Sequence, residues 1–248
     1  YMFDANGKRS DDVYYTLTPA GNDKYIITVR AESEWINDAE RTFPVTIDPS
    51  VINVTCHSDT FINQLSPSTA YGSFDPLWIS SNQISFFKIS MPRLPAGAEL
   101  TNAVLYVAYY YNASVTTGSL VAGAYQVVNN FAYDSLTWNT AAQQTNMGLS
   151  TTQLSRATMS SGAYSASPKW AMFNVRNAAI SWVKEGGNYG IALKYVSGTN
   201  TSVKMHSLES STTAYRPYFT INYIIPDAEV KNIDGELYII MNDSVLPR

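Results

Sequence analysis

The sequence contains a single cysteine, Cys56, so the chain cannot form an internal disulfide bond. This excludes the small secreted domains that depend on disulfides, but not a secreted bacterial protein that is stabilised by a large core. No apolar run approaches the roughly 18 residues of a membrane-spanning helix, because the longest one, from Val104 to Tyr111, has the length of a strand. We therefore expect no membrane insertion.

Charge is also scarce. Charged residues make up 15% of the chain, against roughly 25% in an average domain, and the net charge is −4. Because lysine and arginine form no cluster, we expect neither nucleic acid nor an acidic membrane surface as a partner. Eighteen tyrosines and many serine, threonine and asparagine residues replace the charges, a composition that favours β-structure with uncharged polar faces. The 248 residues suffice for one large β domain, or a main domain and a smaller one.

Turn and strand signals divide the chain into three parts. Residues 1–50 predict a small β-hairpin module that ends at Asp48-Pro49. Residues 51–225 contain many short strand-like runs between turns, which predict an antiparallel β-sandwich that is jelly-roll-like. Residues 226–248 predict a hairpin around Asp234-Gly235. This tail either completes the N-terminal module or begins the next one.

The longest predicted strand runs through "AELTNAVLYVAYYYN". Its period of two places Leu105, Val107 and Tyr109 on one face, and Tyr106 and Tyr110 on the other. If the first set points into the core, the second set points outward, where exposed tyrosines could bind a glycan chain. The alternative is that the second sheet or the N-terminal module covers them, since large apolar patches seldom stay bare.

One short helix interrupts the β pattern. Its apolar residues follow helical spacing, with Asn174 as the expected N-cap and Gly186 as the expected stop. At about three turns the helix is too short to be stable alone, so we expect it to dock on a sheet. The predicted apolar face consists of Val175, Ala178, Ala179, Trp182 and Val183.

Two other tryptophans are candidates for the core or for a binding role. In "YDSLTWN", Trp138 is either an aromatic platform for a sugar ring, with Asn139 beside it, or a cap on the core with Asn139 bonded to the backbone. We expect it on a loop or a short strand at the rim of the sheet. Trp78, next to Leu77 and Ile79, is expected in the core.

The sequence favours no catalytic centre. Cys56 and His57, with His206 as a base, form a poor nucleophilic pair, because adjacent strand residues point to opposite faces. One cysteine and two histidines also lack the spacing of a zinc site. No pair of acidic residues stands out for glycoside hydrolysis. We therefore expect no enzymatic activity and no organic cofactor.

A structural Ca²⁺ ion is an alternative that the acidic residues leave open. Four aspartates lie near predicted loop ends, and carboxylates with backbone carbonyls suit this ion. The default role of each is to form a turn. These weak candidates are Asp48, Asp59, Asp75 and Asp134.

Several stretches, in this order, resemble the DNRLRE-type β-sandwich domain, also classed as carbohydrate-binding module family 96. The resemblance covers roughly residues 52–224, although the strand matching the family's eponymous letters has the sequence "SFFKIS", with only Lys88 charged. The stretches are "DTFIN", "AYG", "SFFKISMPRLPAGAELTNAVLYV", "DSLTWN", "FNVRNAAISWVKEGGNYGIAL" and "MHSLES…YRPYFTINY".

A second resemblance concerns the segment "SEWINDAERTFPVTIDPSV". It is similar to the segment that precedes such sandwiches in Rhs-associated and wall-associated proteins of Gram-positive bacteria. This implies a large, multi-domain parent protein that is secreted or displayed on the cell surface.

Together these features predict a non-catalytic carbohydrate-binding or adhesion module. Its expected partners are a polysaccharide or cell-wall glycan and other domains of the same polypeptide. The alternative is a structural spacer that holds other domains, such as a toxin or adhesin head. The hydrolase or lyase alternative has the least support.

Overall fold

The structure, a computed structural model, describes residues 2–4, 6, 8–21, 24–43, 45–47, 51–94, 98–112, 114–224, 228–233 and 236–241. The chain forms two compact units. The first comprises Tyr1–Val51, Leu94–Glu99 and Tyr223–Arg248, and the second comprises Ile52–Arg93 and Leu100–Asn222. The boundaries that the sequence suggests at residues 50 and 225 stay predictions.

Within the described residues the strands are numbered β1 to β17 in chain order. They are β1 (Met2–Phe3), β2 (Arg9–Ser10), β3 (Val13–Gly21), β4 (Lys24–Ala31), β5 (Thr46–Ile47), β6 (Val51–Asn63), β7 (Leu77–Ser80), β8 (Gln83–Ile89), β9 (Glu99–Tyr110), β10 (Ser119–Val127), β11 (Leu149–Ser160), β12 (Lys169–Asn174), β13 (Ile191–Gly198), β14 (Ser202–Met205), β15 (Tyr218–Ile224), β16 (Ala228–Ile233) and β17 (Glu236–Met241). The α-helices are α1 (Ser33–Ile36), α2 (Trp138–Ala142) and α3 (Arg176–Glu185), and short 3₁₀ turns cover Tyr133–Ser135, Thr145–Gly148 and Thr213–Tyr215.

The first unit contains two small sheets, with strand orders β2-β1-β5 and β16-β17-β4-β3. β16 and β17 pair antiparallel from Ala228↔Met241 to Ile233↔Glu236, as expected for a hairpin in the tail. The turn residues Asp234 and Gly235 lie outside the described residues, as do Asp48 and Pro49. β17 also pairs with β4, at Tyr238↔Thr28.

A buried carboxylate organises the start of the first unit. The backbone N–H groups of Lys8 and Asn6 donate to Oδ1 of Asp4 at 2.8 and 3.0 Å, and that of Thr42 donates to Oδ2 at 3.3 Å. The Arg41 guanidinium approaches Oδ2 to 3.5 Å and lies 4.3 Å from the centroid of the Trp35 ring. A carboxylate that accepts several backbone N–H bonds fixes the loops that supply them.

The second unit is built from one long sheet that folds over itself. Its hydrogen-bonded neighbours follow the order β11-β10-β13-β8-β6-β15-β9-β14-β7, and β12 pairs with β9. The hairpin β7–β8 is paired only at Ser80↔Gln83, after which β7 joins β14 and β8 joins β6 and β13. The sheet therefore returns on itself as two layers, which confirms the predicted all-β, antiparallel sandwich.

The core between the layers comes from alternate residues of these strands. On β9, Leu105, Val107 and Tyr109 are buried as predicted, and Leu77 and Ile79 of β7 are buried with them. A smaller second cluster of buried side chains lies around Phe86 and the ring of Tyr133. Full burial of such side chains stabilises the fold by about 1.5–3 kcal/mol each.

Helix α3 forms at the predicted place. The N-cap is Val175 and not the predicted Asn174, although the Asn174 side chain, one residue earlier, accepts from the backbone N–H of Arg176 at 3.0 Å. Gly186 ends the helix as predicted, with a φ of 74°, which glycine adopts at no steric cost. Val175, Ala178, Ala179 and Trp182 are buried against the core, whereas Val183 is 46% exposed. The prediction was wrong for Val183, because a helix turns by about 100° per residue and Val183 therefore lies at the edge of the buried face.

The sequence pattern predicted one helix and missed α1 and α2. These helices have four and five residues, too few for an apolar periodicity to develop. Trp138 is therefore the first residue of a helix. The expected position on a loop or a short strand was wrong. Thr137 caps this helix, since its Oγ1 accepts from the Thr140 N–H at 3.1 Å.

Candidate functional site

The outward face of β9 and its neighbours carries aromatic side chains. On β12, Trp170 and Met172 point outward, whereas the alternating residues Ala171 and Phe173 are buried. On β15, Tyr218 is half-buried, while Phe219 next to it is in the core. Because β12 pairs with β9 so that Met172 faces Tyr106, these outward side chains share one surface.

Three aromatic residues from three strands form one cluster on this surface, here called the aromatic cluster (Tyr106, Trp170 and Tyr218). The rings of Tyr106 and Tyr218 are parallel, with centroids 4.8 Å apart and an interplanar angle of 1°. Trp170 packs edge-on against Tyr218, with centroids 5.5 Å apart and an angle of 68°. Both geometries are favourable for aromatic pairs.

Two members of the cluster border a groove of about 560 Å³. Volumes of about 300–1,000 Å³ are typical of small-molecule sites. Its wall mixes aromatic and aliphatic surface with hydroxyl, amide and guanidinium groups. The lining residues are Asn53, Thr55, Cys56, Tyr106, Leu208, Thr213, Ala214, Arg216, Tyr218 and Thr220.

One side of the groove is formed by the connection from β14 to β15. Leu208, Thr213, Ala214 and Arg216 belong to it. Arg216 is oriented by a hydrogen bond from its Nε to the carbonyl oxygen of Ser210 at 3.0 Å. A guanidinium carries further N–H donors besides Nε, and Arg216 belongs to the groove lining.

The tyrosine hydroxyls are donors as well. Partial burial, and then the neighbouring Tyr106, raise the pKa of Tyr218 above its usual value near 10. Its phenol therefore stays protonated and neutral over the physiological range. The groove consequently offers uncharged hydroxyl and amide groups together with one cationic side chain, Arg216.

Tyr110 shares the outward face of β9 with Tyr106 but lies outside the groove lining. Its ring is 5.0 Å from the ring of His206, and the Lys204 ammonium lies 6.0 Å from its centroid. Burial, and then the nearby Asp75 carboxylate, raise the pKa of Tyr110 to about 12. The structure thus separates the two tyrosines that the sequence grouped, and a binding role of Tyr110 stays a prediction.

Trp138 and Asn139 are also outside the groove lining. Trp138 packs partly buried against the second core cluster, as in the structural alternative considered for it. Asn139 donates from its backbone N–H to the Pro67 carbonyl at 2.9 Å and from Nδ2 to the Ser68 hydroxyl at 3.1 Å. These bonds attach α2 to the loop that follows β6, and a sugar contact by either residue stays a prediction.

Cys56 and His57, the adjacent residues considered as a nucleophilic pair, lie on opposite faces of one strand. Cys56 is buried and His57 is exposed on the other face of β6. Burial, and then the Asp59 carboxylate, raise the pKa of the Cys56 thiol well above its usual value. His206 is buried, with its Nδ1 3.0 Å from the Ser210 hydroxyl, and burial lowers its pKa. A thiol in this state is a poor nucleophile.

Two of the described calcium candidates accept hydrogen bonds from adjacent residues of the connection from β14 to β15. Asp59 is buried and accepts from the Leu208 N–H at 2.9 Å, while the exposed Asp75 accepts from the N–H and hydroxyl of Ser207 at 3.0 and 3.1 Å. Asp134 is exposed on a 3₁₀ turn, and Asp48 lies outside the described residues. In the described part of the chain, no group of three or more His, Cys, Asp or Glu side chains could hold a metal ion.

The sequence pattern had indicated Tyr106 as a candidate, but it had not indicated its neighbours in the structure, Trp170, Arg216 and Tyr218. The signal was present in part, because "KWAMFN" and "YFTINY" alternate like the strand of Tyr106. What was absent was any sign that these three strands are neighbours. Arg216 lies in an irregular connection, where no periodicity exists to assign its direction.

A model of carbohydrate-binding module family 96 matches residues 50–223. The chain belongs to carbohydrate-binding module family 96. The match extends over the whole two-layered sheet and the groove, and it confirms the resemblance drawn from the ordered motifs.

Curated relatives of this family 96 chain are far longer proteins. The tRNA3(Ser)-specific nuclease WapA of Bacillus spizizenii and the tRNA nuclease WapA of Bacillus subtilis are each 28% identical to it over 244 residues. The alignment covers 91% of this chain but only 10% of each relative. The chain therefore spans about a tenth of the length of these proteins. In addition, no helix of the described residues is both long and apolar enough to cross a bilayer.

Proposed function

We propose that this chain is a non-catalytic module that docks on a polysaccharide through the groove beside the aromatic cluster. The observation that carries the proposal is the parallel stack of Tyr106 and Tyr218 at the wall of a 560 Å³ groove with polar residues around it. Membership of carbohydrate-binding module family 96 supports it. The resemblance of the first fifty residues supports an exported parent protein on the surface of, or secreted by, a Gram-positive bacterium.

The chemistry of the groove suits a sugar chain better than an apolar ligand. One face of a pyranose presents C–H groups that can lie on an aromatic ring, whose face carries partial negative charge. The sugar hydroxyls need donors and acceptors around that ring, which Asn53, Thr55, Thr220 and Arg216 supply. An open groove also admits a long chain without a free end, as a polysaccharide requires.

The test is retention of the chain in native affinity gels that contain a neutral β-glucan, a xylan or polygalacturonate. We expect saturable retardation by at least one of these, and a loss of affinity of about tenfold or more for Tyr218→Ala. Tyr164→Ala is the matched control, because Tyr164 is 43% exposed and is not part of the groove. Equal retardation of the two variants, with both folded, would place binding elsewhere.

A structural spacer is the second candidate. The curated relatives are named as tRNA nucleases and are about ten times as long as the matched segment, so such a module could serve to connect other domains. A spacer would show no retardation by any of the polysaccharides, while its deletion from the parent would reduce delivery or display of the remaining domains. Release of reducing ends or unsaturated sugars by the isolated chain would instead support the hydrolase or lyase alternative.

A further inference from the structure

The ring of Trp170 is an accessible aromatic surface that does not belong to the groove lining. Trp170 is 38% exposed, although its ring packs against that of Tyr218 with the centroids 5.5 Å apart. Met172 follows it on the same outward face of β12 and is 58% exposed. Part of the indole is therefore open to solvent beside the wall of the groove.

A small residue allows Trp170 to reach Tyr218. The two residues belong to β12 and β15, which flank β9 on its two sides and are thus about 9–10 Å apart. Rings whose centroids are 5.5 Å apart must both lean over β9. The residue of β9 that pairs with Trp170 is Ala108, which is completely buried on the outward face. Its methyl group leaves the room that the two rings need.

The aromatic cluster presents two surfaces of different orientation. Tyr106 and Tyr218 are parallel to within 1°, so each ring covers one face of the other. The plane of Trp170 is inclined by 68° to that of Tyr218. Because the two tyrosines are parallel, the indole is inclined by nearly the same angle to both. Whichever tyrosine contacts a ligand, the second aromatic surface is steeply inclined to the first.

This inclination restricts the form of a polysaccharide that can use both surfaces. A sugar whose C–H face packs on an aromatic ring lies parallel to that ring. Two sugars that contact the indole and the tyrosine stack at once must therefore be steeply inclined to each other. The sugar rings on the flat face of a crystalline polysaccharide are coplanar, so that face can reach only one of the surfaces. A single hydrated chain that rotates from sugar to sugar can reach both.

The width of the outward face sets the length of chain that it can hold. The groove lining includes Thr55 on β6 and Thr220 on β15, and Trp170 lies on β12, beyond β9. These four strands are neighbours, and three spacings of about 4.8 Å make the face about 14 Å wide. Since a sugar unit in an extended chain is about as long as one strand spacing, we expect the face to hold roughly three to four units.

We propose that Trp170 is a specificity-determining residue, which stacks on a sugar next to the one that lies at the tyrosine stack. The inclination between the two surfaces selects a single, twisted polysaccharide chain and rejects the flat face of a crystalline one. This inference rests on the proposed function, because it assigns the form of polysaccharide that the groove takes.

The first test compares the two forms of polysaccharide. Native affinity gels contain soluble hydroxyethyl cellulose, xylan or polygalacturonate, and sedimentation with microcrystalline cellulose measures binding to a flat face. We expect saturable retardation by at least one soluble polymer and no saturable loss of the chain from solution onto the crystalline one. Hydroxyethyl cellulose has the same backbone as microcrystalline cellulose, so this pair differs mainly in presentation.

Variants of Trp170 assign the selectivity to its ring. Trp170→Ala should weaken binding to the soluble polymer about tenfold, whereas Trp170→Phe, which keeps an aromatic face, should stay within about threefold. The matched control is Tyr164→Ala, because Tyr164 is 43% exposed and lies outside the aromatic cluster and the groove lining. It should bind as the unmodified chain does. Urea denaturation of each variant verifies that it is folded.

Oligosaccharides separate direct contact from an effect of Trp170 on the orientation of Tyr218. Binding of a hexasaccharide and a trisaccharide of the retarding polymer is measured by calorimetry. A sugar on Trp170 makes the hexasaccharide the tighter ligand, and Trp170→Ala should remove this difference while its trisaccharide affinity changes less than about threefold. An equal loss for both lengths means that Trp170 only positions Tyr218, and it overturns the proposal.

The remaining outcomes distinguish this inference from the proposed function. Saturable binding to microcrystalline cellulose overturns the selection of a single chain and leaves the proposed function in place. Full affinity of Trp170→Ala for the soluble polymer, with a loss in Tyr218→Ala, overturns the role of Trp170 alone. The absence of binding to every polysaccharide overturns the proposed function, and the role of Trp170 with it.

Discussion

The rings of Tyr106 and Tyr218 lie parallel, 4.8 Å apart between centroids, on the outward surface of β9 and β15. Tyrosines on a solvated sheet face can cover core or bind a ligand. Here the neighbouring residues Leu105, Val107 and Phe219 form the core on the opposite face of the same strands, and they are buried. The stack is therefore a surface feature beside the groove, which is the arrangement that a ligand platform requires.

Tyr106→Phe and Tyr106→Ala should separate the stack from the hydroxyl. The phenylalanine variant keeps the stacked ring, so we expect its free energy of unfolding to change by less than about 0.5 kcal/mol. The alanine variant loses the ring contact with Tyr218, and we expect a decrease of about 0.5–1.5 kcal/mol. Urea denaturation at neutral pH measures both. A loss as large as that of a core truncation, about 3 kcal/mol or more, would contradict a surface role for this stack.

Asp59 should make the fold less stable as the pH rises. Its pKa is about 8 in the folded chain, above the usual 3.8, so its stabilising contribution is complete below about pH 4 and is lost as the pH rises towards 8. The slope of this loss is at most about 1.4 kcal/mol per pH unit.

Denaturation of the unmodified chain and of Asp59→Asn across this range isolates the effect, since the other ionisable groups cancel in the difference. The asparagine variant should gain relative stability with increasing pH. A stability difference that stays constant from pH 4 to 8 would show that Asp59 ionises as an ordinary carboxylate.

The thiol of Cys56 should be unreactive in the native chain. It is 4% exposed, and burial raises its pKa, so both access and thiolate population are low. We expect alkylation by iodoacetamide at about pH 8 to be at least about a hundredfold slower than in urea. Because the chain has one cysteine, the labelled fraction reports this site alone. Rapid stoichiometric labelling under native conditions would contradict the burial of Cys56 in the core.

Gly72 should not tolerate a side chain. A Cβ atom there would lie 2.5 Å from the Cα of Asp134 and 3.1 Å from the carbonyl oxygen of Tyr133, and both are backbone atoms. We expect Gly72→Ala to lower the free energy of unfolding by about 1–3 kcal/mol. The neighbouring Ser73→Ala, at an exposed position, is the control and should stay within about 0.5 kcal/mol. Equal effects of the two substitutions would mean that the two loops do not touch as described.

The sequence by itself determined the local features. Alternation along "AVLYVAYYY" separated buried Leu105 and Val107 from outward Tyr106, because successive side chains of a strand point to opposite faces. Gly186 marked the end of α3, because a positive φ depends on the residue itself and its nearest neighbours, while the start of the helix lies one residue later than the predicted cap, Asn174. The order of the family motifs was equally a property of the linear chain.

The tertiary structure alone decided what these segments build together. Tyr218 meets Tyr106 because β15 lies beside β9, and Trp170 joins them because β12 lies on the other side of that strand, a neighbourhood that no local pattern encodes. The hydrogen bond from the Leu208 N–H to Asp59 arises in the same way, between a distant connection and a strand. Pairing between remote strands depends on how the whole sheet closes, and for that reason the groove could not be predicted from the sequence.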